Sequence, residues 1–585
     1  MKEQTNNPVP NFFLASAENF KKIPGSPIAY WVSDKVRRLF DSDMKLSKIG
    51  RPRQGLASTN NDFFYRLWHE IDTRRIGFSI SSKDEAIETG YKWFPLNKGG
   101  PFRRWAGNSE YIINFENDGK TICDYIDNTP GARVGSNGRV INRDFYYKLG
   151  ITYSDLTTGG FGARYFGQGF IFDTTGPSIF DENGYGLKKL LAYVNTKIFQ
   201  TILDTVCTGL HYSNGVLAGL PVHFPKEHDA EVIDNTEKLI TKFRIDWDSY
   251  EINWDFTSLP LLHHDYRQPT LKETYAKLYD HWSEMILEMQ RLEEENNRIF
   301  IGSYSLQDEL TPEIPLNKIT LICNPHYRYN GNKTENELED LLLADTMKEF
   351  ISYAVGCMFG RYSLDKTGLI LANQGETIED YKKKVPNPTF EPDSDNVIPI
   401  LDGDWFIDDI ADRFRGFLRV TFGEEHYNEN LKFMEQAIGK DIRRYFLKDF
   451  YNHHVKMYKK RPIYWMFSSP NGSFNALIYM HRYRPDTVSI VLNNYLREFR
   501  SKIAAKKENL EEISSSPSSS QSDKAKALKE IEKLKKVITE LEEYERDILY
   551  PLATQQIEIE LDDGVKVNYD KFGKALRKIP GLTGK

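Results

Sequence analysis

The sequence predicts an α+β, multi-domain fold with two mixed α/β segments, long heptad helices and a C-terminal antiparallel coiled-coil hairpin. Three observations carry this expectation. A chain of 585 residues exceeds what one core holds, and its 40% hydrophobic and 13% aromatic content suffices for several. Two stretches rich in glycine, aromatics and short apolar runs are separated by helical patterns. Two further stretches repeat apolar residues in alternating steps of three and four, the signature of a heptad seam.

Taken in order, residues 1–47 read as a Pro-, Asn- and Gly-punctuated linker leading into a short helix at "SDKVRRLF", with Ser33 as its N-cap. Residues 48–230 form the first α+β subdomain, with "RIGFSI", "YIINFE" and "GFIFDT" as apolar runs. It closes on one helix, "GLKKLLAYVNTKIFQTILDTV". Residues 231–300 form a helical spacer whose seam is Leu271, Tyr275, Leu278, Trp282, Met285, Met289 and Leu292. Residues 301–490 form the second α+β subdomain, in which "KITLIC" reads as a strand and "KKKVPNPTFEPDSDN" as a mobile, solvated loop. Residues 491–550 hold the second seam: Leu492, Leu496, Phe499, Ile503, Leu510 and Ile513, then Ile531, Leu534, Ile538, Leu541 and Ile548 beyond "SSSPSSSQS". Residues 551–585 read as a β-hairpin turning at Asp563-Gly564, followed by a tail.

Composition excludes several classes. The net charge is −7, so any polyanion must be met by a local patch. Cys123, Cys207, Cys323 and Cys357 form no CxxC pair, which fits a reducing, cytoplasmic setting and no zinc site. The N-terminal residues carry no apolar signal core, and no run reaches the ~18–20 apolar residues of a membrane span. His263-His264 and His453-His454 are adjacent pairs without the helical spacing of metal ligands.

"CNPHY", Cys323 to Tyr327, is close to the Asn-Pro-Pro-Tyr loop with which enzymes methylate exocyclic amines of flipped bases. His326 replaces the second proline, and the chain has no Pro-Pro dipeptide elsewhere. A loop opened by Asn-Pro is the simpler reading. The glycines of "TTGGFGARYFGQGF" have the wrong spacing for a cofactor loop and read as turns between strands. Basic loops carry more. Lys35, Arg37, Arg38, Lys45, Lys48, Arg51 and Arg53 face only Asp41 and Asp43, and "GRPRQGLASTNN", "NKGGPFRRW" and "GGFGARY" mix Arg, Lys, Gln and Asn with glycines. Such loops let backbone approach phosphates while Arg and Asn/Gln reach base edges. They give Arg51, Arg53, Gln54, Thr59, Asn60, Lys98, Arg103, Arg104, Trp105 and Arg164 as candidate DNA-binding residues.

Five segments sharpen this. "NFKKIPGSPIAYWVSDKV", "KWFPLNKGGPFRRWAGNSEYIINFENDG", "TTGGFGARYFGQGFIFDTTGPSIF", "LLLADTMKEFISYAVGCMFGRYSLD" and "RPIYWMFSSPNGSFNALIYMHRY" together resemble the PglX family, adenine-specific DNA methyltransferases of the bacterial BREX phage-exclusion system. "LLAYVNTKIFQTILDTVCTGLHYSNGVLAGLPV" is similar to the exit of target-recognition domains in restriction-modification specificity subunits. The resemblance is to the family's C-terminal half and implies a target-recognition module, with the catalytic domain upstream of it. It therefore implies no catalytic, cofactor or metal residue in this chain. It implies double-stranded DNA as partner, S-adenosylmethionine for the complete enzyme, and a catalytic half or other phage-defence proteins as associates. Arg103, Arg104, Gln54 and Asn60 are the expected base or groove contacts. The competing readings are an interaction or scaffold subunit of the defence complex, a silent recombination cassette, or methyl transfer at an unrecognised site.

Overall fold

The computed structural model describes residues 17–21, 23–134, 138–207 and 209–582, so the start of the expected linker lies outside the described residues. The chain forms two compact units, each assembled from non-adjacent stretches. The first comprises Met1–Tyr65, Ile76–Trp247 and His281–Asn332, the second Arg66–Arg75, Asp248–Asp280 and Lys333–Lys585. Each unit draws on stretches distant in sequence. No helix among the described residues is long and apolar enough to cross a membrane.

In the first unit, Trp93–Asn97 pairs antiparallel with Tyr111–Asn114 and parallel with Ile171–Phe172. A separate three-stranded sheet runs in the order Ala163–Phe166, Gly150–Tyr153, Ser178–Ile179. Ser33 caps the helix Asp34–Leu39, its side chain accepting from Val36 N at 3.2 Å. The single helix expected over 186–206 is broken into Leu187–Val194 and Lys197–Val206. The break is Asn195, whose amide pairs with both backbone groups of Ala163 at 2.9 and 3.0 Å, after which Thr196 caps the second helix. "KITLIC" is not a strand. The Ile322 and Cys323 amides donate to the Asp246 carboxylate at 2.6 and 3.0 Å, a local anchor that takes the place of a ladder.

The heptad residues from Leu271 onward lie on one helix, Leu271–Ser303, and Leu271, Leu278, Trp282, Met285, Met289 and Leu292 are buried. The stretch expected as a solvated loop, residues 382–396, starts in the helix Ile378–Lys384 and is exposed over much of its length, but its end is core. Asp393 and Asn396 are buried, Asn396 exchanges hydrogen bonds with the Tyr479 backbone, and Arg482 donates to Asp393 O. The loop's polar groups satisfy a core, which composition alone cannot reveal.

The second unit holds the antiparallel sheet Ile398–Pro399, Asn475–Tyr479, Tyr464–Ser468. Beside it lies a buried polar cluster. Arg361 donates to Tyr479 Oη at 2.8 Å and Tyr362 Oη at 3.1 Å, while Glu251 accepts from Ser352 Oγ at 2.6 Å. His69, His454 and His481 are buried nearby, and burial drives all three below their ordinary pKa. Near the C-terminus, Arg497–Ser515 and Gln521–Tyr544 pack along each other through Phe499, Ile503, Ala527, Ile531 and Leu534.

The expected C-terminal β-hairpin is absent among the described residues. Leu561–Asp563 is a 3-10 turn and Gly564–Asp570 an α-helix. Arg66 donates to Asp562 O and Asp563 O, Gln374 accepts from Leu561 N, and Glu70 accepts from Val565 N. These side chains consume the groups a hairpin ladder needs. Leu561, Val565, Tyr569 and Phe572 share helical spacing and are buried, whereas Val567 is 50% exposed.

Two outcomes are expected. Val565→Ala should cost about 2 kcal/mol in urea denaturation and Val567→Ala almost nothing, whereas a hairpin would place both on one face. His481 has its pKa pushed down to about 3 by burial and by Arg361. Below the ordinary imidazole value the unfolded chain takes up a proton that this site refuses, so stability falls as pH falls. His481→Gln removes that proton from the balance. The variant's unfolding free energy should fall less steeply than the wild type's between pH 6 and 4, by ~1.4 kcal/mol per pH unit.

Candidate nucleic-acid interface

The segment from Arg51 to Asn60 is a ribbon threaded through the first unit. Arg53 exchanges backbone hydrogen bonds with Ser178 at 2.8 and 3.0 Å, Leu56 N donates to Phe172 O at 3.1 Å, and Ala57 exchanges bonds with Arg139 at 2.8 and 3.2 Å. At Gly55 a Cβ would stand 1.8 Å from Phe172 O, so only glycine lets the ribbon lie this close. The ribbon's edges carry the polar side chains.

Arg51 is exposed. Arg53 lies 3.8 Å over the Phe145 ring and pairs with Glu182 at 2.6 Å. Gln54 accepts from Arg139 Nη2 at 2.8 Å, and its backbone carbonyl accepts from Asn142 at 2.9 Å. Thr59, β-branched, is held at φ 64°, a strained conformation for such a residue. Asn60 caps Asn61–Phe64 and donates to Tyr125 Oη at 3.1 Å. Residues 57–62, with Tyr65 and Asp173–Thr175, line a polar pocket of about 430 Å³. Asp173 accepts from Thr175 N, Thr175 Oγ1 and Gly176 N at 2.7–3.0 Å, and burial raises its pKa above the usual carboxylate value. Lys98 joins this rim. Its carbonyl accepts from Thr175 Oγ1 at 2.7 Å, and its ammonium lies 5.0 Å from the Tyr111 ring centroid.

The remaining candidates are elsewhere. Arg103, Arg104, Trp105 and Arg164 are all buried. Arg104 pairs with Glu293 at 2.5 Å and donates to Lys318 O at 2.9 Å; Trp105 Nε1 donates to the same carboxylate at 2.7 Å. Arg103 donates to Thr320 O at 2.9 Å and lies over Trp247 and Tyr327. In this structure these side chains build the core and present no surface to a ligand. Arg164 is buried beside Arg103, and desolvation lowers its pKa to about 10. Arg139, Asn142 and the exposed Lys148 complete the ribbon's rim. Sequence reading passed over them, although "GRVINRDFYYK" has the same mix of basic, amide and aromatic residues.

The two motifs suggestive of methyl transfer take part in local packing. Asn324 is fully buried; its Oδ1 accepts from His326 N and its Nδ2 donates to Leu316 O and Ile319 O at 2.8 Å. Its amide is spent on closing a loop, and Tyr327 Oη donates to Phe102 O at 2.5 Å. The glycine cluster flanks the strand Ala163–Phe166. A Cβ at Gly159 or Gly162 would meet Phe102, and one at Gly169 would meet Phe78 O. Gly159, Gly162 and Gly169 admit protein packing, whereas a Cβ at Gly167 would meet nothing within 4 Å. His263, His264 and Asp265 could bring three ligand atoms together, on consecutive and largely exposed residues.

The assignment of Arg104 to the core has a measurable consequence. Arg104→Ala strands the buried Glu293 carboxylate, which burial already disfavours in its charged form. A loss of roughly 3–5 kcal/mol is expected in urea denaturation, with much of it recovered in Arg104→Met/Glu293→Met.

No protein-family model matches the chain. Two curated proteins align along almost all of it. Adenine-specific methyltransferase PglX of Lacticaseibacillus casei (strain Zhang) is 37% identical over 583 residues, 97% of this chain and 46% of that protein. Adenine-specific methyltransferase BrxX of Escherichia coli O9:H4 (strain HS) is 35% identical over 594 residues, 98% of this chain and 47% of that protein. The chain spans about half the length of the curated relatives it matches. It is therefore a homologue, over about half of their length, of the proteins named adenine-specific methyltransferases PglX and BrxX.

Proposed function

We propose that this chain is the DNA-reading portion of an adenine-N6-specific, S-adenosylmethionine-dependent DNA methyltransferase of a phage-defence system. Methyl transfer is assigned to sequence outside the half of the relatives that it matches. The observation that carries the reading is the ribbon Arg51–Asn60: Gln54 bonds with Arg139 and Asn142, Arg53 and Lys148 lie on the Phe145 ring, and its far end, Ala57 to Asn60, lines a polar pocket. The relationship to proteins named adenine-specific methyltransferases supports DNA as the polyanion.

In this reading Arg51, Lys98 and Lys148 neutralise phosphates, which gives affinity without sequence information. Gln54, Asn60 and Asn142 are the amides assigned to base edges, where an Asn or Gln pairs with the N6 and N7 groups of adenine. Arg53 and Arg139 are held by Glu182 and Gln54, so they fix the rim's geometry before DNA arrives. A scaffold role is the second reading. It is favoured by the packed helices Arg497–Ser515 and Gln521–Tyr544, whose heptad residues would form a coiled-coil hairpin and on which Leu528 is 55% exposed.

The test is selection from random duplex DNA by the purified chain at moderate salt, with sequencing of the bound pool. An asymmetric enriched motif is expected. Arg51→Ala/Lys98→Ala/Lys148→Ala should weaken all sequences alike and flatten the salt dependence by roughly one unit per lost contact, while Asn60→Ala or Asn142→Ala should relax the motif at one position. Absence of enrichment, or indifference to the rim substitutions, rejects this assignment.

A further inference from the structure

The second unit carries a cleft that the reading above does not use. Its volume is about 780 Å³. One wall is Lys448, on the π-helical turn Phe446–Phe450; the other is the segment Lys574–Lys578. Between them lies the hairpin loop that joins the strands Tyr464–Ser468 and Asn475–Tyr479.

The wall Lys574–Lys578 and the loop are tied down by hydrogen bonds. The strand Tyr464–Ser468 lies at the edge of its sheet, and Leu576 pairs antiparallel with Phe467 there. Arg577 N donates to Met466 O at 2.9 Å, Tyr544 Oη donates to Ala575 O at 2.7 Å, and Tyr569 Oη donates to Arg577 O at 2.6 Å. The backbone of the wall is therefore fixed, and Lys574 and Lys578 stand out from it into solvent. The loop is held from beneath by Glu540, which accepts from Asn471 N at 2.8 Å and Ser473 Oγ at 2.6 Å.

The charge is one-sided. Lys448, Lys574, Arg577 and Lys578 face only Asp570 among the lining residues. None of these four cations makes an ion pair among the described residues, whereas cations just outside the cleft do: Lys440 with Asp449, Lys571 with Asp563 and Arg443 with Asp409. In a chain of net charge −7, residues 571–585 contain Lys571, Lys574, Arg577, Lys578 and Lys585 and no acid. Unpaired cations stand on two opposite walls of an open cleft. They match a repeating line of phosphates.

We propose that this cleft is a second, sequence-independent seat for the phosphodiester backbone of duplex DNA, with Lys448, Lys574 and Lys578 as its phosphate contacts. The proposal rests on the DNA-reading role above and adds a grip in the other unit.

The test uses the full chain and Lys448→Ala/Lys574→Ala/Lys578→Ala, all exposed positions, with circular dichroism to check the fold. Fluorescence anisotropy on duplex DNA of random and of enriched sequence is measured over a salt series. The expected result is at least a ~10-fold loss of affinity on both duplexes, and a slope of log K against log[salt] shallower by roughly 0.9 per lysine removed. The corresponding Lys→Arg variant should restore both. Unchanged affinity and slope in the alanine variant, with enriched binding intact, overturns the cleft and leaves the reading role standing. Salt-sensitive binding that depends on these lysines but shows no sequence preference supports the cleft and sinks the reading role. A chain that binds no duplex overturns both. Calorimetry with pyrophosphate separates the remaining source: pyrophosphate bound through these lysines without any effect on duplex affinity means a free-phosphate site and overturns the proposal.

Discussion

The polar rim of the first unit depends on the backbone pairing of one short ribbon. Between Arg53 and Ala57 the chain hydrogen-bonds to Ser178 and Phe172 on one side and to Arg139 on the other. Three stretches distant in sequence thereby become neighbours, and the side chains at their edges have no freedom to separate. Gly55 is the tightest point, because any side chain there would displace the Phe172 carbonyl. Binding residues placed on such a scaffold lose little entropy when a ligand arrives, which is the physical advantage of a preformed rim over loops that order on contact.

The same unit shows why basic residues in sequence are a poor guide to basic surface. "PFRRW" supplies two guanidiniums and an indole beside two glycines, a composition suited to a groove. Glu293 draws Arg104 and Trp105 inward, and Thr320 and Trp247 hold Arg103. A buried carboxylate costs several kcal/mol unless it is paired, so once the helix Leu271–Ser303 places Glu293 in the core, a cation must follow it there. The cleft around Lys448 and Lys574–Lys578 is the converse, since Asp570 is the one acid among its lining residues and Lys448, Lys574 and Lys578 remain exposed.

Much of the fold was legible, and the reasons differ by element. The Ser33 cap and the apolar stripe from Leu271 to Leu292 depend on local spacing alone, and both appear where the sequence puts them. The hairpin at Asp563-Gly564, the strand "KITLIC", the unbroken helix through Asn195 and the solvated "EPDSDN" loop were misread. In each case a distant side chain or backbone group captures the local polar groups: Glu70 and Gln374, Asp246, Ala163, and Tyr479 with Arg482. Of the candidate binding residues, Arg51, Arg53, Gln54, Thr59 and Asn60 lie along one continuous ribbon, and Lys98 is tied through its carbonyl to Thr175, which shares a pocket with Thr59 and Asn60. Arg139 and Asn142 were missed because only the pairing of Ala57 with Arg139 brings them there.

The sequence by itself determined a mixed α/β chain with long helices, and through its motifs the relationship to adenine-specific methyltransferases. Periodicity and motif are local properties, carried by neighbouring residues. Tertiary structure alone decided which cations are buried and which are exposed. Those outcomes turn on where a partner carboxylate or carbonyl lies in space, and desolvation makes each choice costly to reverse.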